Sequence, residues 1–393
     1  MMLSPNQKSE NGNMVIFALL FMAFLTGIAS SFQLPTLSLF LSQQIQVSPF
    51  LVGLFYAVNA IMGILVSQLL AKYSDKHQDR RKILLFCCLV SIAGCVIFAY
   101  SRNYYVLLFL GTLLMGLGSA VNPQTFAFAR EYSESNQKQS LMFTTILRAQ
   151  ISLAWIVGPP LSFSIALHWG FDFLYLTAAL AFMLCAILTL SVLPQVARQQ
   201  VNIQTSQNLS VQNVRKSTLY LFLVCFLAWT CNSMYLINMP LYVIHQLGLP
   251  DSLAGILMAS AAGLEIPVML LAGYLTKFLA KKTLIYCAII AGLIFYIGLL
   301  MGTQPWWLIS LQLFNGIFIG VLASIGMIYF QDLMPQQMGS ATTLFTNAAK
   351  SSWILGGPLA GIITQFWHYQ TVFYIAIGLI LIALACMWRV RSV

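Results

Sequence analysis

Long apolar runs, broken at intervals by short polar clusters, fill almost the whole of this 393-residue chain. A helix needs about 20 consecutive apolar residues to cross a bilayer. Runs of this kind recur over 14–40, 48–71, 83–100, 104–129, 140–167, 171–193, 217–244, 252–276, 283–301, 305–330, 340–367 and 370–388, numbered here as spans 1 to 12. Most exceed the minimum, so tilt or protrusion is expected. The pattern predicts an all-α membrane protein with no room for a soluble domain between spans. The longest polar segment, "PQVARQQVNIQTSQNLSVQNVRK", stands between spans 6 and 7. It divides the chain into a six-span half over 1–193, a linker over 194–216 and a second six-span half over 217–393.

Composition agrees: 60% of the residues are hydrophobic and only 7% are charged. The formal charge of +10 would suggest nucleic acid in a soluble protein, but here the basic residues sit in short loops beside apolar spans. Of the 19 Lys and Arg, Arg102 lies in an opposite loop and Arg148 and Lys350 lie inside spans, leaving 16 on the side of the N-terminus. By the positive-inside rule both termini are then cytoplasmic. The segment "AKYSDKHQDRRK", residues 71–82, is the densest basic cluster and also holds Asp75 and Asp79. All eight cysteines fall inside apolar stretches, with no CxxC pair and no His at ligand spacing, and read as small core residues. The four histidines lie at or near span ends, as interfacial polar residues do. The first thirteen residues lack the basic opening and cleavage pattern of a signal peptide, so span 1 is expected to remain as a helix. No nucleophile, metal cluster or phosphate-cradling loop argues for an enzyme, and no cofactor or metal is expected.

The halves repeat. "WIVGPPL" (155–161) in span 5 returns as "WILGGPL" (353–359) in span 11, an offset of 198. "SPFLVGLF" (48–55) is echoed by "PDSLAGIL" (250–257), an offset of 202, each at the start of a span. Parallel duplication of a six-helix unit is the pattern of a transporter with its site between two halves.

With these features in view, the 71–82 loop resembles the loop motif of the major facilitator superfamily: a small residue, Asp four positions on, then a basic cluster, here Ala71, Asp75 and Arg80-Arg81-Lys82. Ala71 stands where Gly is usual, and the loop carries one extra residue. "GPP" (158–160) resembles the Gly-Pro signature of proton-coupled antiporters in that superfamily, without its trailing glycines. "QLPTLSLFL", "GLFYAVNAI", "LRAQISLAWIVGPPL", "WTCNSMYLINMPLY", "AAGLEIPVMLLAGY" and "GSATTLFTN" resemble the bacterial sugar efflux transporters across both halves. The resemblance implies a twelve-helix major facilitator fold in the bacterial inner membrane. It also implies export of sugars or glycosides, with protons as the exchanged ion. Its gating motif implies that Asp75 pairs with Arg130 and caps the start of span 11 near Gly339 and Ser340.

Only three ionisable side chains lie deep in spans: Arg148 in span 5, Glu265 in span 8 and Lys350 in span 11. A charge at the bilayer centre costs a few kcal/mol even on lenient scales, so function is the default reading. At about 1.5 Å per residue, Arg148 lies roughly 12 Å and Glu265 roughly 16 Å inside the cytoplasmic ends of their helices. In the resembling fold spans 5 and 8 face each other, as do 2 and 11, which implies an Arg148–Glu265 pair and sets Lys350 opposite Asn59. Glu265, the sole deep carboxylate, is the natural proton carrier; a fixed acceptor for sugar hydroxyls is the alternative. Arg148, Ser152 and Trp155 form one helical stripe, matched at offset 198 by Thr346, Lys350 and Trp353. Each stripe then offers one cation and one Trp to the central cavity.

Sugars demand many hydrogen bonds and an apolar face for stacking. The spans contain amides at Gln33, Asn59, Asn122, Gln124, Gln150, Asn232, Asn238, Gln312, Asn315 and Asn347, some of which bridge helices instead. Trp229 and Asn232, three apart on span 7, combine a stacking face with an amide. The candidate substrate-binding set is therefore Gln33, Asn59, Asn122, Gln124, Arg148, Trp155, Trp229, Asn232, Glu265, Asn315, Asn347, Lys350 and Trp353, with Asp75 and Arg130 as gating residues. The expected partners are a small sugar or glycoside, protons and the bilayer, with the chain acting as a monomer. The competing readings are a multidrug/proton antiporter and a membrane receptor without transport.

Overall fold

The computed structural model describes residues 5–76, 80–135, 140–194, 211–334 and 338–391. All regular structure among them is helical. Span 1 is the helix Pro5–Leu39 with a π-turn over Phe40–Gln44, span 2 is Pro49–Lys76 and span 3 is Arg80–Tyr100. Span 7 is Val211–Leu241 with a π-turn over Tyr242–Gln246, and spans 8 to 12 are Asp251–Leu275, Lys281–Met301, Pro305–Leu333, Met338–Phe366 and Thr371–Trp388. Ten stretches among the described residues are long and apolar enough to cross a membrane. One of these, Ala149–Ser191, holds spans 5 and 6 together, and the Lys350-bearing span 11 is not among the ten. Each span read from the sequence is thus helical over most of its described residues, and the chain is a multi-pass membrane protein.

Two departures from the sequence pattern have local causes. Spans 5 and 6 run in one helical stretch, Ser140–Ser191, bent at Gly170, whose φ of 87° and ψ of 166° are non-helical. Only glycine takes that conformation at little cost. Span 4, expected as one helix, breaks into Tyr104–Val106, a π-turn over Leu107–Gly111, Thr112–Gly118 and Val121–Ser135. Pro123 accounts for the last break: it donates no N–H, and its ring crowds the carbonyl four residues back, at Ser119. The chain re-enters the helix two residues before that proline.

Helix ends follow the usual chemistry. The Asn103 side chain accepts from the N–H groups of Tyr105 and Val106 and so caps span 4, and Pro305 opens span 10 where no donor is required. Beyond the π-turns of spans 1 and 7, the chain turns through a left-handed residue, Gln46 in one case and Gly248 in the other.

The chain forms two compact units, Met1–Leu37 with Ile61–Val201, and Ser38–Ala60 with Asn202–Val393. The second unit therefore takes in the end of span 1 and the first half of span 2, which the linear division assigned to the first half. The first unit is built around Met22, Ala23, Cys87, Cys88, Phe128 and Cys185, all buried. Not every cysteine is a core residue, since Cys287 is exposed and Cys386 is half-buried. The second unit has an aromatic interior in which Phe295 lies 5.1 Å from Tyr235 and Phe318 lies 6.4 Å from Tyr296, ring centre to ring centre. Small residues let the helices approach closely, as expected where lipid removes the hydrophobic drive for helix pairing. A Cβ on Gly118 would stand 2.3 Å from Ser91 Oγ, and one on Gly316 would stand 2.9 Å from Leu264 Cβ.

Candidate functional site

In the first unit, three of the candidate amides are tied to neighbouring helices. Asn122 accepts a hydrogen bond from the Thr26 hydroxyl, joining spans 1 and 4. Gln124, two residues on and buried, accepts from Arg80 Nη1 at 2.8 Å. Gln33 donates to Cys95 Sγ at 3.3 Å and joins spans 1 and 3. Trp155 is half-buried on span 5. Thr26 and Gln33 thus carry the polar bridges of span 1 to spans 4 and 3, whereas Gln124 sits at the basic end, where Arg80 begins span 3. The side chains of Asp75, Arg130, Arg148 and Ser340, and the surroundings of Gly339, lie outside what the structure describes, so the gating contacts do too.

The second unit holds a denser polar cluster. Tyr235 on span 7 donates to Gln312 Oε1 on span 10 at 3.4 Å, and Asn315 Nδ2 donates to the same oxygen at 3.0 Å. Gln312 Nε2 in turn donates to the Leu308 carbonyl at 3.0 Å. Asn315 Oδ1 and Trp229 Nε1 are buried and have no hydrogen-bond partner among the described residues. Ser38 Oγ, Asn238 Oδ1 and the Tyr242 and Tyr296 hydroxyls of the same unit are buried in the same way. The Trp229 ring meets Phe345 of span 11 edge-on at 6.5 Å. Asn232 is half-buried one turn further along span 7.

Span 11 presents its candidates differently. Asn347 and Lys350 are exposed, while Trp353 is half-buried and stacks on Tyr56 with ring centres 5.7 Å apart and planes at 23°. Below that stack the two backbones touch: a Cβ on Gly53 would stand 2.2 Å from the Gly357 carbonyl oxygen, and one on Gly361 would stand 2.5 Å from that of Pro49. These contacts define an antiparallel register for spans 2 and 11. One turn beyond Tyr56 and one turn before Trp353, that register brings Asn59 level with Lys350. Glu265 is half-buried on span 8, and its own carbonyl oxygen lies 3.0 Å from where a Cβ on Gly320 would stand. The Gly316 and Gly320 surface of span 10 thus seats the backbone of span 8 on either side of Glu265.

The sequence reading missed Tyr235 and Tyr56. Their signal was available as tyrosines on helix faces already bearing Trp229, Asn232 and Asn59, but tyrosine in an apolar run looks like bulk until its partner is known. No group of three or more metal-ligating side chains occurs among the described residues.

The sequence profile of the Major Facilitator Superfamily matches residues 19–305 and 268–393. The chain is 54% identical over 376 residues to sugar efflux transporter A of Dickeya chrysanthemi, a match covering 96% of this chain and 95% of that one. It is 48% identical over 376 residues to sugar efflux transporter B of Salmonella typhimurium, with the same coverage of 96% and 95%. Among solved structures, the nucleoside transporter NupG superposes with a TM-score of 0.79 at 16% identity, covering 96% of this chain and 99% of that one. A bacterial homologue of the iron transporter ferroportin gives a TM-score of 0.75 at 15% identity, again covering 96% and 99%. Identities this low speak for the shared fold alone. The chain is a membrane transporter and not an enzyme, and it belongs to the bacterial sugar efflux transporter family of the Major Facilitator Superfamily.

Proposed function

We propose that this transporter exports sugars or glycosides across a bacterial inner membrane by alternating access, in exchange for protons, with both termini in the cytoplasm. The observation that carries the reading is the kinship, close to half identity or above over nearly the full length, with relatives named as sugar efflux transporters. The second unit's interior suits the task. Trp229, half-buried, offers an aromatic face on which a sugar ring can stack. Asn232, Asn59, Asn347, Glu265, Lys350 and Trp353 are the further contacts expected from spans 2, 7, 8 and 11. In the first unit, Gln33, Asn122, Arg148 and Trp155 complete the set, and Gln124 contributes through Arg80.

In this reading, Glu265 is the proton carrier. The test is uptake of a labelled disaccharide and a labelled glucoside into inverted vesicles, with and without an imposed pH gradient. Accumulation that follows the gradient supports sugar/proton exchange. Accumulation indifferent to the gradient removes the proton, and no saturable uptake of either sugar removes the sugar.

A further inference from the structure

The two basic loops repeat one contact. In the first unit, Arg81 at the start of span 3 donates from Nε to the Thr189 carbonyl at 2.8 Å, and from Nη2 to the Leu190 carbonyl. Both carbonyls belong to the last turn of span 6. In the second unit, Lys282 at the start of span 9 donates from Nζ to the Val390 carbonyl at 2.6 Å and to the Trp388 carbonyl at 3.2 Å, at the end of span 12. Arg81 and Lys282 are 201 positions apart, and so are Thr189 and Val390. One cation-to-carbonyl bond in each half thus spans the same 108 residues, from the start of the third helix of the half to the end of its sixth. The last carbonyls of a helix have no intrahelical partner and carry the negative end of its dipole, so a cation placed there satisfies both. In the second unit the end of span 12 is fastened further, because the Tyr329 hydroxyl donates to the Arg391 carbonyl at 2.7 Å and the Arg391 N–H donates to Ser217 Oγ at 3.3 Å.

We propose that Arg81 and Lys282 are equivalent positioning residues, which fasten span 3 to span 6 and span 9 to span 12 so that each six-helix half moves as one stiff body during transport. The basic clusters would otherwise need no more than charge, because the positive-inside rule counts Lys and Arg without regard to their contacts. Geometry separates the two roles. A charge shifted by one residue still orients the chain but no longer reaches the carbonyls.

The decisive variant is Lys282→Met combined with Thr283→Lys. Thr283 is exposed, and its counterpart in the first half, Lys82, already carries a charge there. The proposal rests on the transport reading for one measurement only, the rate of sugar exchange in proteoliposomes. The other, amide hydrogen exchange at residues 386–391, needs no substrate. The double variant is expected to insert in the parent orientation, to exchange sugar about fivefold more slowly, the ratio that a helix-terminus charge of ordinary strength supports, and to show faster amide exchange at 386–391. Lys282→Arg, which still reaches both carbonyls, is expected to behave as the parent. Arg81→Gln repeats the test in the first half, with amide exchange followed at 188–193. Parent-like exchange of sugar or of those amides in the double variant overturns the proposal, and so does a Lys282→Arg protein as slow as the double variant. Should the double variant not fold, Tyr329→Phe, which removes one bond of the same fastening, is expected to loosen 389–391 alone, and no change there counts against it.

Discussion

The crossing of spans 1 and 5 in the first unit and that of spans 7 and 11 in the second are nearly the same object. Ser31 Oγ donates to the Ala154 carbonyl at 3.3 Å, and Ser233 Oγ donates to the Ser352 carbonyl at 3.2 Å. Gly158 and Gly356 leave room for those hydroxyls: a Cβ would stand 1.8 Å from Ser31 Oγ in one case and 2.1 Å from Ser233 Oγ in the other. The glycine of "WIVGPPL" and "WILGGPL" is therefore a packing residue in both halves. Two residues from Ser233 the likeness ends. Tyr235 corresponds, at offset 202, to Gln33, which meets Cys95, whereas Tyr235 enters the network with Gln312 and Asn315. Glu265 and Lys350 also belong to the second unit alone. Duplication kept the joints of the scaffold and let the polar interior diverge, so chemistry is to be sought where the halves differ.

The largest expected effect falls on that divergent interior. Glu265→Gln keeps a hydrogen-bonding side chain but cannot cycle a proton. Sugar exchange between equal concentrations should persist, while accumulation driven by a pH gradient should vanish. If the variant accumulates sugar as the parent does under the same gradient, Glu265 is not the proton site, and Lys350 becomes the next residue to substitute. Next in size is the glycine contact of spans 2 and 11. Gly53→Val drives its side chain at the Gly357 carbonyl, 2.2 Å from where the Cβ would be. Backbone cannot swing away as a side chain can, so a loss of about 3 kcal/mol in stability is expected. Gly63→Val, where nothing lies within 4 Å of the added Cβ, is the control. Equal melting temperatures for the two variants would mean that this contact is not held in solution.

A third pair tests the shared joint directly. Gly158→Ala and Gly356→Ala each press on a serine hydroxyl, and each should cost about 2 kcal/mol. Near-equal losses of melting temperature sharpen the case for a duplicated scaffold. A loss confined to one variant breaks it.

Much of this was legible in the chain before any coordinates. Apolar run length reports helices well because a membrane span leaves its backbone no other partner, and the repeated "GPP" and "GGP" segments already marked the two joints. The break of span 4 was less visible, since Pro123 had to be weighed against a run that is apolar on both sides of it. Site residues were the least legible. Gln124 and Asn315 look alike as amides in apolar runs, yet Arg80 takes up an oxygen of the first, while the second keeps an oxygen without a partner. The basic loops misled in another way, because charge counting explains why Arg81 and Lys282 are cations but says nothing of the carbonyls they reach. For Gln124, Arg81 and Lys282 the missing information is a partner distant in sequence.

The smallest effect concerns the turns that follow spans 1 and 7. Both helices end in a π-turn, and the chain then reverses through a left-handed residue, Gln46 with φ of 57° and Gly248 with φ of 63°. The backbone bonds match as well: Val47 N–H donates to the Leu41 carbonyl at 3.2 Å, and Leu249 N–H donates to the Val243 carbonyl at 3.1 Å. Only the side chain differs. A residue with a Cβ is held in this region at a cost of about 1 kcal/mol, and glycine is not. Gln46→Gly should therefore raise stability by somewhat less than that, because glycine also gives the unfolded chain more freedom. Gly248→Ala should lower it by about 1 kcal/mol, although nothing lies within 4 Å of the added Cβ and no steric clash contributes. Melting temperatures in detergent, read as a reciprocal pair, decide the matter. Opposite signs mean that the two turns share one backbone and differ only in the strain they carry. If Gln46→Gly is destabilising instead, the glutamine side chain holds the first turn through contacts of its own, and the two ends are not equivalent.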